Sequence, residues 1–351
     1  MGLFDKILRE NEGLFLDEDA LNIDYMPPKI LFRENEHQYI ADCIKPLLKG
    51  RTGKNIFITG TPGIGKTAAT KSVLNELGNK GFDEHVVPLY VNCWKKDSAH
   101  KIILDMCNQL HYKFTLNKTS EQLMNEIARI LNKKSLVIVL DEVDKLSNDA
   151  TMVLYTISED IFRKTVILIT NSKDFFSLLD QRIRSRLGAE TFTFRSYTED
   201  EMHGILKDRV ERAFVKGVFN EKALRLISNR TFELKDVRVG LHLLREAGNL
   251  AEQRLKRKIE EEDVRDALQL IAESDICDLS DDERFLFELI KNNFGKTSKE
   301  IYKHYGHSVS YRTFLRRLKD LEEARLISIK EENQGAGKQF FVYLGYKGND
   351  T

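Results

Sequence analysis

The stretch Asn55-Ile-Phe-Ile-Thr-Gly-Thr-Pro-Gly-Ile-Gly-Lys-Thr67 decides how the rest of the chain is read. Its second part, Gly60 to Thr67, fits the spacing G-x-x-x-x-G-K-[ST] of a phosphate-binding loop. The apolar, β-rich run before it reads as a strand, and a helical pattern opens near Lys66. That context is what the chemistry requires. Gly60, Thr61, Pro62, Gly63, Ile64 and Gly65 form a loop whose backbone can approach phosphates, with amide N–H groups at a helix N-terminus aimed at them. Lys66 is then expected on the β- and γ-phosphates, and the Thr67 hydroxyl on Mg2+. A plain glycine-rich turn is the bland alternative, and the flanking strand and helix argue against it.

Working outward, the run Ser135-Leu-Val-Ile-Val-Leu ends in Asp141-Glu142-Val-Asp144. An aspartate at the end of a buried strand is placed to hold Mg2+, so Asp141 joins Thr67 as an expected metal ligand. Glu142 beside it is placed to orient and deprotonate an attacking water. An acidic helix cap is the competing explanation for the pair. The run Thr165-Val-Ile-Leu-Ile-Thr170 delivers Asn171, whose amide suits a water or a γ-phosphate, although an asparagine after a strand is more often a turn residue. Gln181-Arg-Ile-Arg-Ser-Arg-Leu187 gathers three arginines, either a solvated basic turn or an arginine finger for a neighbouring subunit's nucleotide.

Five short apolar runs, at 55–60, 86–92, 135–141, 165–170 and 191–194, alternate with helical patterns at 64–79, 98–111, 119–132 and 147–162. Near-continuous Val/Ile/Leu runs are expected of strands buried on both faces of a parallel sheet, so this is a three-layer α/β region. After Arg195 the strand signal stops. Thr198 with Glu201 forms a capping box, and helical patterns follow near 220–229, 235–257 and 261–273, which reads as an all-helical domain. Two more capping boxes, Ser280 with Glu283 and Thr297 with Glu300, open short amphipathic helices. A third helix runs from Ser310 to about Arg325, and Leu326-Ile-Ser-Ile-Lys-Glu-Glu332 and Lys338-Gln-Phe-Phe-Val-Tyr-Leu344 flank a turn. Three helices and a hairpin make a winged-helix arrangement. The expected domains are therefore 1–197, 198–275 and 276–351.

The length of 351 residues allows two or three domains at about 150 residues each. Lys+Arg and Asp+Glu both number 55, which excludes a wholly basic nucleic-acid coat but not a local basic face. Cys43, Cys93, Cys107 and Cys277 contain no CxxC pair, so buried free thiols are expected rather than a metal cluster or disulfide framework. No apolar run is long enough for a membrane span, and the opening Met1-Gly-Leu-Phe-Asp-Lys6 fits neither a signal peptide nor myristoylation. An intracellular protein without a membrane partner is expected.

The phosphate loop, Asp141-Glu142, Asn171 and the arginine cluster together resemble the AAA+ ATPases. In that resemblance Asn171 matches sensor 1. Lys235-Asp-Val-Arg-Val-Gly-Leu241 resembles the sensor 2 motif, with Arg238 as the γ-phosphate reader. The chain is more closely similar to the archaeal replication initiators related to the origin recognition complex and the cell-division-control ATPase. Met26-Pro-Pro-Lys-Ile-Leu-Phe-Arg-Glu34 resembles their segment near the adenine, and Leu179 to Gly188 their arginine-bearing turn. Departures exist: Gln181 stands where members often have Pro, and Arg186 is not always Arg. The resemblance implies Arg186 as the finger, with Arg182 and Arg184 open. Residues 107–120 occupy the place of the family's initiator-specific insertion.

The resemblance implies an α/β AAA+ ATPase domain, an all-α lid and a C-terminal winged helix. It implies ATP/ADP and Mg2+ as ligands and slow, switch-like hydrolysis. Expected partners are double-stranded origin DNA, the replicative helicase and paralogous initiators, in a cytoplasmic, nucleoid-associated setting.

At about 100° per residue, Phe314, Leu315, Leu318 and Leu321 fall on one stripe of the third helix, and Arg312, Arg316 and Lys319 lie opposite. From Lys291 to Lys319 there are eight basic residues against Glu300 alone, so the balanced total hides a positive segment. Ser310, Arg312, Thr313, Arg316 and Arg317 on this helix, with Lys338 at the hairpin tip, are the expected DNA contacts. Any surface helix carries some such charge, and that is the bland alternative. Two other functions fit the same modules: a motor of the Holliday-junction branch-migration type, and a DNA-binding regulator with a structural nucleotide.

Overall fold

The computed structural model describes residues 13–82, 85–147, 150–172, 174–277, 279–293, 295–305, 309–323, 326–334 and 337–344, with the backbone alone at 272–277, 281, 323, 331–334, 337–339 and 344. The chain divides into two compact units. One holds Phe15–Lys216 with Leu224–His242, and the other holds Gly217–Ala223 and the chain from Leu243 onward, joined by Leu14. The division passes through the expected lid: its first helix and the sensor 2 segment fall in the first unit.

In the first unit, strands β1 (Ile56–Thr59), β2 (Val86–Asn92), β3 (Ser135–Asp141), β4 (Lys164–Ile169) and β5 (Glu190–Thr193) form one sheet in the order β2-β3-β4-β1-β5. Every pairing is parallel, with Val139 opposite Ile167 and Ile56 opposite both Ile167 and Glu190. Alternation along the strands feeds two separate cores. Leu136, Ile138, Leu140, Phe57, Val166 and Leu168 enter one. Val137, Val139, Ile56, Ile58, Ile167 and Ile169 enter the other. Both faces are covered, which is why β3 and β4 are buried at every position.

The first core is closed by α3 (Ala99–Gln109), α4 (Ser120–Leu131) and α5 (Thr151–Asp160), the second by α1 (Glu34–Ile44) and α2 (Lys66–Asn79). Helix α1 was not expected from the sequence. Ile40, Cys43 and Ile44 supply its buried face, continued by Leu47 in the 3-10 turn that follows. Cys43, Cys93 and Cys107 are buried free thiols, and the side chain of Cys277 lies outside the described residues. Short helices α6 (Phe175–Leu178) and α7 (Gln181–Leu187) precede β5, and α8 (Glu199–Ala213) opens on the expected Thr198–Glu201 capping box.

Helices α9 (Glu221–Leu234) and α10 (Val237–Gln253) run from one unit into the other. Gly240 sits in α10 because a Cβ there would meet Thr231 Oγ1 at 2.6 Å and Leu206 Cδ2 at 2.7 Å. That close approach explains a residue with poor helix propensity.

In the second unit, α11 (Glu261–Cys277) is followed by α12 (Asp281–Lys291), α13 (Ser298–Tyr305) and α14 (Tyr311–Glu323), then β6 (Ile327–Gln334) and β7 (Gly337–Leu344). The two strands pair antiparallel from Ile327–Leu344 to Gln334–Gly337, and Thr297 bridges Phe341 as a short third edge. Leu286, Phe287, Ile290, Ile301, Phe314, Leu318, Leu321 and Val342 form their shared core. Three helices and an antiparallel strand pair around one core are the arrangement expected of a winged helix. One expectation is corrected here: Leu315 is 40% exposed while Phe314 is fully buried, because one residue turns it 100° off the stripe. Among the described residues no helix is long and apolar enough to cross a membrane.

Candidate active site

The phosphate loop lies between β1 and α2, at the C-terminal edge of the sheet. Gly63 and Gly65 have φ of 73° and 85°, conformations that L side chains rarely adopt, and Gly65 is the residue before the first turn of α2. Lys66 is buried, and its ammonium donates to Gly60 O at 2.8 Å, Thr61 O at 2.9 Å and Asn171 Oδ1 at 2.7 Å. Burial pulls its pKa down to about 8, against the opposing pull of Glu142 and Asp141.

Strand β3 carries Asp141 to the same edge. Its Oδ2 accepts from Thr67 Oγ1 at 2.6 Å and from Tyr90 OH at 2.7 Å, and its Oδ1 accepts from Glu142 N at 2.9 Å. Thr67 and Asp141 thus converge as a pair of hard oxygen donors next to the loop. That set fits Mg2+, which takes hydroxyl and carboxylate oxygens and keeps several waters.

Glu142 follows in a left-handed conformation, φ 56°, which turns its carboxylate toward β4, where Asn171 Nδ2 donates to Glu142 Oε2 at 3.3 Å. Burial, with the charges of Asp141 and Asp144 beside it, raises the Glu142 pKa, as suits a group that accepts a proton. Thr170 Oγ1 holds Asp144 Oδ1 at 2.5 Å. Lys66, Thr67, Asp141, Glu142 and Asn171 therefore form one connected network.

Arg238 reaches the same cavity from the start of α10. The cavity measures about 350 Å³ and is lined by Lys66, Asp141, Glu142, Asn171 and Arg238, with Tyr25 and Met26 at another wall. Arg238 forks onto Asp236, with Nε to Oδ1 at 3.0 Å and Nη2 to Oδ2 at 2.8 Å. That pairing raises its pKa further. A smaller neighbouring hollow of about 80 Å³ is lined by Ile30, Ala68, Tyr197, Ile205 and Val237 beside Gly63 and Gly65. Its apolar side chains suit a base, and the charged Lys29, Asp208 and Arg209 also line it.

Several residues here escaped the sequence reading. Arg33 is fully buried, and its guanidinium donates to Glu36 Oε1 at 2.5 Å, Ile64 O at 2.9 Å and Arg195 O at 2.8 Å. It lies 3.8 Å from the ring centre of Tyr197. It therefore ties the segment before α1 to the phosphate loop and to the chain leaving β5. Arg209 donates to Ala20 O at 3.1 Å and stands 5.1 Å from the Tyr25 ring, which fixes the wall of the large cavity. Tyr90 was also unread, and Asp236 was read only as part of the sensor 2 motif, with no role of its own. Alternation in β2 marks Tyr90 as facing Asp141's side, but no motif singled it out.

Arg186 is not part of this network. It lies on α7, half exposed, and pairs with Glu159 at 2.8 Å. Arg182 on the same helix is exposed.

On the winged helix, Ser310 caps α14, accepting from Thr313 N at 3.2 Å, and the two hydroxyls lie 2.9 Å apart. Arg312 and Arg316 are exposed. Arg317 is corrected: it donates inward to the Tyr305 hydroxyl and the Asp282 carboxylate, and only 17% of its side chain is exposed. It sits on the flank of the helix that meets α12 and α13, so it braces the domain rather than facing outward. Gly335 and Ala336 at the wing tip, and the side chain of Lys338, lie outside the described residues.

A sheet in this strand order, a phosphate loop, an Asp-Glu pair and an asparagine just beyond β4 that bonds Lys66 and Glu142 define an AAA+ ATPase. Residues 49–179 match the family described as AAA domain, and residues 203–269 match the Cdc6 AAA+ ATPase-type lid domain. The chain belongs to the ORC1-type DNA replication proteins. It is 30% identical to ORC1-type DNA replication protein 2 of Archaeoglobus fulgidus over 98% of this chain and 94% of that one. The Aeropyrum pernix ORC1 protein, solved in complex with DNA, aligns with TM-score 0.68 and 25% identity over 94% of each chain. The Aeropyrum pernix ORC2 protein, solved in ADPNP-ADP complexes, aligns with TM-score 0.71 and 20% identity over 95% of each. The Thermotoga maritima RuvB branch-migration motor aligns more weakly, with TM-score 0.53 and 17% identity over 91% of this chain and 95% of that one, a likeness of fold alone.

Proposed function

We propose that this protein is an ATP-switched initiator that binds double-stranded origin DNA through its winged helix and helps bring the replicative helicase, with paralogous initiators, to that site. The observation that carries the reading is the convergence of Lys66, Asp141, Glu142, Asn171 and Arg238 on one cavity. Family membership directs that cavity to DNA replication rather than branch migration.

Chemically, Lys66 holds the β- and γ-phosphates, and the apolar hollow beside Tyr197 takes the base. Thr67 and Asp141 hold Mg2+, which neutralises phosphate charge when bound. Glu142 accepts the proton of the attacking water, and Asn171 orients that water from the other side. Arg238 reads the γ-phosphate and so reports ATP against ADP to the helix that carries it. Arg186, or its neighbours Arg182 and Arg184, acts on the nucleotide of an adjoining subunit. The parts correspond to an ATPase domain at 1–197, a lid at 198–275 and the winged helix at 276–351. Ser310, Arg312, Thr313, Arg316 and Lys338 meet DNA. The protein works in the cytoplasm at the nucleoid.

Footprinting on the source genome tests this, with wild type and Glu142→Gln, in ATP and in ADP. Glu142→Gln is expected to bind ATP but hydrolyse it at least about a hundredfold more slowly, and to protect a discrete repeated element. Sequence-blind protection that follows DNA structure, with fast DNA-stimulated hydrolysis, would move the protein to the motor class.

A further inference from the structure

The sensor arginine does not stand free on its helix. Arg238 donates from its Nε–Nη2 edge to Asp236 in a two-bond fork, at 3.0 and 2.8 Å. The same carboxylate accepts the Arg238 backbone N–H at 3.0 Å, so Asp236 also caps the first turn of α10. A fork fixes the plane and direction of a guanidinium as well as its place. With that edge engaged, the Nη1 side remains to meet an anion.

Asp236 is itself seated on the phosphate loop. It is 2% exposed, and a Cβ on Gly63 would lie 1.9 Å from its Oδ1 and 2.9 Å from its Cα. The contact is completed by Val237 N donating to Gly63 O at 3.3 Å. Only glycine at 63 allows this approach, quite apart from the positive φ that the loop demands. The guanidinium is thereby tied to the phosphate loop through Asp236.

We infer that Asp236 is a positioning residue that sets how sharply the site separates ATP from ADP, by holding Arg238 in the one orientation that offers Nη1 to a γ-phosphate. This rests on the reading of Arg238 as the γ-phosphate sensor. Asp236 touches no reacting atom; its effect on nucleotide choice runs through Arg238. Without the fork, the long arginine side chain regains its rotamers, and the γ-phosphate must order it on binding. ADP, lacking that phosphate, is indifferent.

The test is a pair of dissociation constants, for ATP and for ADP with Mg2+, measured by calorimetry on the full chain. Asp236→Asn keeps the cap, because an amide oxygen still accepts the Arg238 N–H, and loses the charged fork. It is expected to weaken ATP on the order of tenfold and leave ADP within about twofold. Arg238→Ala should abolish the same preference, and the double variant should lose no more than Arg238→Ala alone. Parallel loss of ATP and ADP, or tighter ATP, with Arg238→Ala behaving as expected, overturns the role of Asp236 and leaves the sensor intact. An unchanged ATP/ADP ratio in Arg238→Ala overturns the sensor reading itself and the inference with it. Should Asp236→Asn fail to fold, Asp236→Glu keeps the charge while misplacing the fork, and the same loss of preference is expected.

Discussion

Replacing Arg33 with Met removes a guanidinium from a site with no solvent around it. Its partner Glu36 has a side chain only 7% exposed, so the carboxylate would be left charged, buried and unpaired. Breaking a buried pair from one side costs about 3–5 kcal/mol. The carbonyls of Ile64 and Arg195 lose their donor as well, so the upper end of that range is expected. Against a typical total of about 5–15 kcal/mol, this is a large share of the stability of a folded domain. The double variant Arg33→Met/Glu36→Gln should recover part of it, because the orphaned charge is gone. Urea unfolding followed by far-UV circular dichroism reads both numbers. Intrinsic fluorescence is a poor choice, since the single tryptophan, Trp94, is 66% exposed. A loss below about 1 kcal/mol for Arg33→Met, or a double variant no better than the single, would refute the clamp.

Three other expectations are simpler. Lys66 binds phosphate as a cation while burial favours its neutral form, and its pKa sits at about 8. Nucleotide affinity should therefore fall as pH rises through 8, with proton uptake on binding; calorimetry near pH 8 in buffers of different ionisation enthalpy would show none if the reasoning fails. Arg316→Ala should weaken specific DNA binding by about 1–3 kcal/mol without lowering the melting temperature, whereas Arg317→Ala should lower the melting temperature of the winged helix; a reversed pattern would undo the inward assignment of Arg317. Gly240→Ala gains about 1 kcal/mol of helix propensity but forces a methyl against Thr231 and Leu206, at about 1–3 kcal/mol for overpacking, so a net fall in melting temperature is expected, and a rise would show that the contact can give.

The chemistry along the sheet edge was legible because each piece is local. A strand followed by Gly60–Thr67, a strand ending in Asp141-Glu142 and a strand ending in Asn171 announce themselves in a few consecutive residues. The capping boxes at Thr198, Ser280 and Thr297 were local for the same reason, and each marks the start of a helix. What could not be read is whatever depends on packing between distant segments. Arg33 finds its acceptors at Ile64 and Arg195, and nothing near Arg33 names either. Arg317 looked like Arg312 and Arg316 because a helical wheel shows faces but not neighbours. Only the position of Asp282 and Tyr305 distinguishes it. Helix α1 carried its signal in Ile40, Cys43 and Ile44, but these sit among so many polar residues that the pattern was easily missed.

The strand order has a bearing on how the protein is made. β1, which carries the phosphate loop, is hydrogen-bonded on one side to β4 and on the other to β5, with Ile56 opposite Ile167 and Glu190. Both neighbours are synthesised long after it. During translation the loop emerges early yet lacks one or both flanking strands until the chain beyond Thr193 has left the ribosome. Nucleotide thus has no fully assembled seat on the nascent chain before that point, and the earliest apolar strand must wait, incompletely paired, for the longest-range contacts in the sheet. A holding chaperone during that interval would be expected to bind around Ile56–Thr59, and ribosome-stalled chains ending before and after β5 would differ in their ability to retain ATP.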